Sequence, residues 1–592
     1  MKYLSRNRMS ARRGHTPRRS PVLGLSLFLL AVFAGLIFSI HGPLGKGGST
    51  EFNHFLSDTF IQETSSNTMN LHFTLSDPAS AGITDYDVTF GDYSAEGRKS
   101  SLLATKQLRQ QLDDFSYRSL TEDEQIVYDV LSDYLDRQLA LSDYPLFDEV
   151  LTPSGGATSQ LPILLAEYRF HSAQDVEDYL ALLSQMDTYF DQILAYEQEK
   201  ADAGLFMSDY CCRKVIESCE VFTLHPDDNF LITTFDNRLD QMEGISDGDK
   251  ADYRKRNQTA IAEHVIPAYQ NIASGLTKLM GRGRNDWGLC NYEDGCAYYS
   301  ALVSYYTGCD DTVEELFSQI EEKRTADLAV CSTLLSEKPS LLLESDSVTL
   351  DYADEAAMVQ TLENAITADF PEVPDCEWEL VHVDPALSDY LAPAFYITAP
   401  IDNYKSNRIY LNTAANYDSL GLFTTLAHEG FPGHLYQTVC SYAYGMNPLH
   451  TLLNYPGYTE GWATYVEMQS YYYAGLDEDM ASLLQHNQAV MLSLYATSDI
   501  GIHYYGWEKD EMMKFWSGYG ITDEATVEAI TNLILEEPGN YLKYYVGYMK
   551  FTQLREACEA KQKSAFDPVQ FHEEIMRIGP APFELLEEKL IN

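Results

Sequence analysis

Residues 428–434 read His-Glu-Gly-Phe-Pro-Gly-His, and they follow the apolar stretch Leu422-Phe423-Thr424-Thr425-Leu426-Ala427. Two imidazoles can hold a divalent ion, and a glutamate beside the first can move a proton, so these residue types together suit metal-assisted hydrolysis. The familiar zinc-peptidase motif sets its histidines four apart on one helix. Here they are six apart. Six residues of regular helix turn the chain roughly 120° from its starting direction and carry it about 9 Å along the axis. Imidazoles so displaced cannot share one ion whose Zn–N bonds are about 2.0–2.1 Å. The helix must therefore be bulged or interrupted between His428 and His434. Gly430, Pro432 and Gly433 supply the means, because proline removes a backbone donor and glycine opens conformations closed to other residues.

A third ligand is expected downstream, in Tyr458-Thr459-Glu460-Gly461-Trp462-Ala463-Thr464-Tyr465-Val466-Glu467. Catalytic zinc commonly takes two histidines and one carboxylate and keeps a fourth position for water. Glu460 follows His434 by 26 residues, room for a helix, a turn and the start of a second helix. Glu467 lies two helical turns further. It is either a carboxylate that orients a ligand histidine or a plain surface acid. With His428, His434 and Glu460 as ligands, Glu429 is the general base.

The pair His-Glu-Gly-Phe-Pro-Gly-His and Tyr-Thr-Glu-Gly-Trp-Ala resembles the bacterial family called domain of unknown function 885, regarded as gluzincin-like zinc metallopeptidases. The similarity runs from around residue 65 to the C-terminus. Asn407-Arg408-Ile409-Tyr410-Leu411-Asn412 looks like the family's strand before the zinc helix, and Asp499-Ile500-Gly501-Ile502-His503 like its D-x-G-x-H segment. Pro538-Gly539-Asn540-Tyr541-Leu542-Lys543-Tyr544 is similar to its P-G-Q-A-x-x-Y segment, with Asn540 and Tyr541 in place of Gln and Ala. The resemblance implies hydrolysis of peptide bonds with one Zn2+ per chain. By resemblance and by residue type, His503 and Tyr544 are candidate donors to a tetrahedral oxyanion, although either alone is more often a satisfied structural side chain. Arg408 and Arg555 could grip a substrate carboxylate; surface or structural roles suit them better.

The elements that must position these groups are mainly helical. Thr121 with Glu124 forms a capping-box pattern before Ile126-Val127-Val130-Leu131, and Ser172 with Asp175 opens another helical run. Strand-like material falls near 377–412, including Ala394–Thr398 and Arg408–Leu411. The expected fold is a gluzincin-like helical metallopeptidase body with a small β-sheet beside the zinc-binding helix. The strand at 406–412 either offers its edge to an extended peptide or is a core strand under the zinc helix.

The N-terminus adds a second theme. Arg6, Arg8, Arg12, Arg13, Arg18 and Arg19 precede an apolar run from Val22 to Ile40, long enough to cross a bilayer as a helix. The positive flank stays in the cytoplasm, which places the body outside it. Phe38-Ser39-Ile40-His41 lacks the small-x-small pattern of a signal cleavage site. The domain reading is a basic cytoplasmic segment 1–21, a transmembrane signal anchor 22–40, a linker 41–64 and a catalytic domain 65–592.

Asp and Glu total 89 against 40 Lys and Arg, a formal net charge of −49. Such a body repels nucleic acid. The partners it implies are a peptide substrate and the membrane. The ten cysteines include no C-x-x-C pair, which excludes a zinc ribbon or a thioredoxin-type motif. Outside the cytoplasm some could pair, Cys290 with Cys296 being a local candidate; scattered buried thiols are the other reading. Two alternatives to peptide hydrolysis stand: a zinc amidase acting on cell-wall or small-molecule amides, and a non-catalytic membrane-tethered peptide-binding protein. Glu429 argues against the second, since binding alone needs no general base.

Overall fold

The computed structural model describes residues 48–591 except 285–286, 384–391, 413 and 416. The expected anchor 22–40 lies outside the described residues, and among those described no helix is long and apolar enough to cross a membrane. The described residues up to Asp286, with Ala399–Asn403, form one compact unit; those of Trp287–Thr398 and Tyr404–Asn592 form the other. The first unit is helical. Thr121 and Glu124 close a full capping box on Glu122–Ser142, and Ser172 and Asp175 do the same on Ala173–Leu183, satisfying amide groups that a helix start leaves without partners. The segment Ala399–Asn403 joins this unit through Ile401, whose amide donates to the Thr74 carbonyl. Asp402 adds two bonds, accepting from the amides of Ser76 and Asp77 at 2.8 Å each.

The second unit carries the candidate site residues His428, Glu429, His434 and Glu460. Its three-stranded sheet has the order β1 (Glu377–His382), β3 (Ser406–Leu411), β2 (Ala394–Tyr396), with β1 parallel and β2 antiparallel to β3. β3 is therefore the central strand, bonded on both sides, and its edge is not open to a peptide. Ile409, Tyr410 and Leu411 are buried, as are all three residues of β2. Arg408 pairs with Glu379 on the neighbouring strand, while Arg555 donates to Glu559 and to the Tyr465 hydroxyl. Both arginines thus have structural tasks.

Behind the sheet, α1 (Ser419–Glu429) starts at Asp418, whose carboxylate accepts the Gly421 amide at 2.7 Å. It buries Leu422, Phe423, Leu426 and Ala427 completely or nearly so. Then come α2 (His434–Ala443), α3 (Pro456–Tyr473), α4 (Glu478–His503) and α5 (Asn540–Gln562). Proline at the first position of α3 suits a helix start, where its missing N–H is no loss. The end of α4 is held by a core of Leu494, Ile502, Met512, Trp516, Val527, Ile530 and Ile534. All ten cysteines are free thiols, Cys290 and Cys296 included; those two donate to the Ile502 and Tyr504 carbonyls instead.

Helices α3 and α5 touch backbone to backbone. A Cβ placed on Gly461 would lie 2.4 Å from the Cα of Gly547, closer than real Cβ atoms come. That approach sets Glu460, next to Gly461, near the start of α5. Gly461→Ala should force the helices apart and destabilise the protein by about 1–3 kcal/mol, the usual range for overpacking. Urea or thermal unfolding reads this directly, and an unchanged midpoint would show that the contact does not hold the helices in place.

Candidate metal centre

The interruption that the six-residue spacing demands is present. Helix α1 ends at Glu429 and α2 begins at His434, with Gly430 and Gly433 as the flanking residues. Gly433 passes so close to the end of α1 that an added Cβ would sit 1.7 Å from the His428 carbonyl oxygen. Only glycine fits there. The Trp462 indole of α3 donates to the Pro432 carbonyl at 2.9 Å and fixes the turn from below. The result returns His434 to His428, with ring centroids 4.9 Å apart and planes nearly perpendicular at 85°.

Glu460 completes the group. One of its oxygens, Oε2, is 3.5 Å from His428 Nε2 and 3.4 Å from His434 Nε2. One ligand atom from each of the three residues lies within 4.8 Å of the others, and all three residues are buried. The two Nε2 atoms make no hydrogen bond; contacts of this length fall outside the usual N–H···O range of 2.7–3.2 Å. Ligand atoms around a tetrahedral ion with bonds of about 2.0–2.1 Å stand about 3.4 Å apart. The spacing, the unsatisfied imidazole nitrogens and the His2Glu donor set all fit zinc.

The surroundings orient these groups. Glu467 meets His428 Nδ1 at 3.1 Å, leaving Nε2 to face Glu460. The Glu467 carboxylate thus turns toward the His428 ring, as an orienting carboxylate would. Glu429 is fully buried; its Oε2 accepts the Tyr396 amide at 2.9 Å, and its Oε1 makes no hydrogen bond. Burial pushes the Glu429 carboxyl up to about 7, against the pull of the two imidazoles. Burial also opposes charge on Glu460, but the imidazoles of His428 and His434 hold its carboxyl well below the usual range. On His428, burial is overcome by Glu460 and Glu467, and its proton is held up to about 10.

Tyr544 is brought to the site: its ring centroid is 6.4 Å from that of His428, and burial keeps its hydroxyl protonated. His503 is placed differently. Its Nδ1 accepts the Leu289 amide at 3.2 Å and its Nε2 meets the Ile534 carbonyl at 3.1 Å, so both nitrogens serve the backbone. Burial lowers its pKa to about 4, consistent with a neutral ring in that role. Asp499, from the same segment, accepts the Tyr299 hydroxyl and the Gly539 amide and thereby ties α4 to the residue before α5. The Tyr396 amide was not foreseeable from residue type, because a backbone donor has no side-chain signature.

The sequence profile of the family "Bacterial protein of unknown function (DUF885)" matches residues 78–590. The chain belongs to DUF885. The match takes in His428, Glu429, His434 and Glu460 together with the sheet and helices that carry them. Among solved structures, a candidate lipoprotein from Colwellia psychrerythraea superposes with a TM-score of 0.80 at 17% identity, over 91% of this chain and 98% of that one. A candidate lipoprotein of unknown function from Shewanella oneidensis gives 0.57 at 16% identity, over 91% and 100%. These likenesses show the fold alone. No curated protein matches the chain.

Two outcomes are expected from this geometry. Glu467→Gln should weaken zinc binding by about 10–100-fold, as loss of a ligand-orienting carboxylate does, measured by competition with a chromogenic chelator; unchanged affinity would return Glu467 to the surface-acid reading. Zinc needs the His428 ring neutral, and below about 10 that ring holds its proton. Zinc affinity should therefore rise with pH, by about tenfold per unit for each proton displaced, and weaken on acidification. A flat pH dependence between neutral and mildly alkaline solution would contradict that charge state.

Proposed function

We propose that this DUF885 protein hydrolyses peptide bonds, with one zinc ion held by His428, His434 and Glu460. The observation that carries the reading is the pair of buried Nε2 atoms that make no hydrogen bond yet flank one carboxylate oxygen at 3.5 and 3.4 Å. Two imidazole nitrogens and a carboxylate oxygen that converge at this spacing, beyond hydrogen-bond length, suit an ion between them. A zinc ion there supplies a Lewis acid that polarises a carbonyl and makes water acidic enough to ionise near neutral pH.

The chain's own residues supply the rest. Glu429 is anchored through one oxygen by the Tyr396 amide, which leaves Oε1 to take the proton from an attacking water. Burial raises the affinity of the Glu429 carboxylate for a proton, which suits it to accept that proton and then deliver it to the departing amine. Tyr544 keeps its proton and can donate to the oxygen of the tetrahedral intermediate. Glu467 holds the His428 ring in one orientation throughout.

We further infer that the body works at a membrane, outside the cytoplasm. Support comes from the lipoprotein descriptions of the two similar structures and from the charged-then-apolar N-terminal pattern. The first cysteine of the sequence is Cys211, so the apolar run 22–40, with no cysteine beside it, is the attachment we infer.

Glu429→Gln in the full-length protein tests the chemistry. Peptide-library cleavage by the zinc-loaded protein should fall by about 10²–10⁴-fold while about one zinc per chain remains bound. Cleavage that survives the substitution would remove Glu429 from the reaction, and a zinc-loaded wild type that cleaves no peptide would remove the proposed activity.

A further inference from the structure

Carboxyl groups gather around the site, with Glu429 and Glu460 buried and Glu467 behind His428, in a chain of formal charge −49. Lys543 stands out against them. It precedes Tyr544 on α5 and is half-buried. Its Nζ lies 5.1 Å from the centroid of the Tyr544 ring, and that ring is the one 6.4 Å from the His428 imidazole. Its charge reaches Glu460, where it adds to the two imidazoles against the effect of burial.

Among the described residues the Lys543 ammonium forms no salt bridge and no hydrogen bond; it lies against the Tyr544 ring and acts on Glu460 only through its charge. Lys550, two turns along the same helix, shows the structural alternative, paired with Asp311 at 2.5 Å. A half-buried ammonium loses hydration that only an anion or hydrogen-bond acceptor restores. The Tyr544 ring that Lys543 lies against is the one that faces the His428 imidazole, which places the ammonium one side chain away from the site.

We propose that Lys543 reads a carboxylate on the substrate and so selects anionic peptides. The inference rests on the hydrolase reading above and names the class of substrate for that same site. The carboxylate is either a free C-terminus or an Asp or Glu side chain near the scissile bond; both offer the same acceptor to an ammonium. A charge-assisted contact of this kind favours the anionic ligand over its neutral isostere by roughly 10–100-fold.

The test uses zinc-loaded full-length protein, as wild type, Lys543→Met and Lys543→Glu, with zinc content checked for each. Binding is measured for a peptide hydroxamate that carries a free carboxylate and for its carboxamide. Cleavage is measured on peptide pairs with free or amidated C-termini and with Glu or Gln side chains. In the wild type the carboxylate hydroxamate should bind roughly 10–100-fold more tightly. The ratio should fall to about one in Lys543→Met and reverse in Lys543→Glu. The kcat/KM ratios should follow, and the peptide pair that shows the preference identifies the source of the carboxylate.

Equal wild-type affinity for the two hydroxamates, binding of neither, or a preference that survives both substitutions overturns the assignment. A Lys543-dependent binding preference without cleavage of any peptide overturns the hydrolase reading alone. Protein that takes up no zinc overturns both.

Discussion

A carboxylate with no access to water, Glu460, lies between two imidazole nitrogens that make no hydrogen bond. Burial opposes its charge, and it remains ionised because positive character faces it from His428 and His434. That balance governs the rest of the second unit. It requires two histidines from opposite sides of a helix break, a glutamate from a third helix, and a second acid, Glu467, to set the nearer ring. It also accounts for the backbone contact of α3 with α5: a side chain at Gly461 or Gly547 would push Glu460 away from the rings it serves.

The three side chains that converge were legible in the sequence because chemistry restricts residue type. Few side chains bind zinc, and His428, His434 and Glu460 are of those types at workable spacing. The break between α1 and α2 was legible for a geometric reason, since six residues of unbroken helix could not bring the rings together. Glu467 was ambiguous because a carboxylate two turns along a helix can face inward or outward, and the packing of α3 against α1 decides which. The mainly helical body with a small sheet was readable from periodicity, as were the capping boxes at Thr121 and Ser172.

What escaped the sequence depends on contacts between distant residues. The central place of β3 follows from β2, a strand of only three residues that local pattern hardly marks. His503 has the residue type of a catalytic donor, yet its nitrogens are claimed by Leu289 and Ile534, 214 and 31 positions away. The Cys290 and Cys296 thiols likewise bond to carbonyls of a segment more than 200 residues on. Side-chain identity announces what a group can do; only the fold shows what it has been given to do.

The hydrogen bond from the Trp462 indole to the Pro432 carbonyl makes the two motifs parts of one device. The histidine turn has its own bond across the break, from the Tyr436 amide to the Gly430 carbonyl, and a brace from outside: the tryptophan two residues beyond Glu460, on another helix. Ligand and brace therefore arrive together on α3. Grafted alone onto a foreign helix, the heptapeptide would bring its histidines without this outer strut, so a transferable module spans both segments and the packing between them.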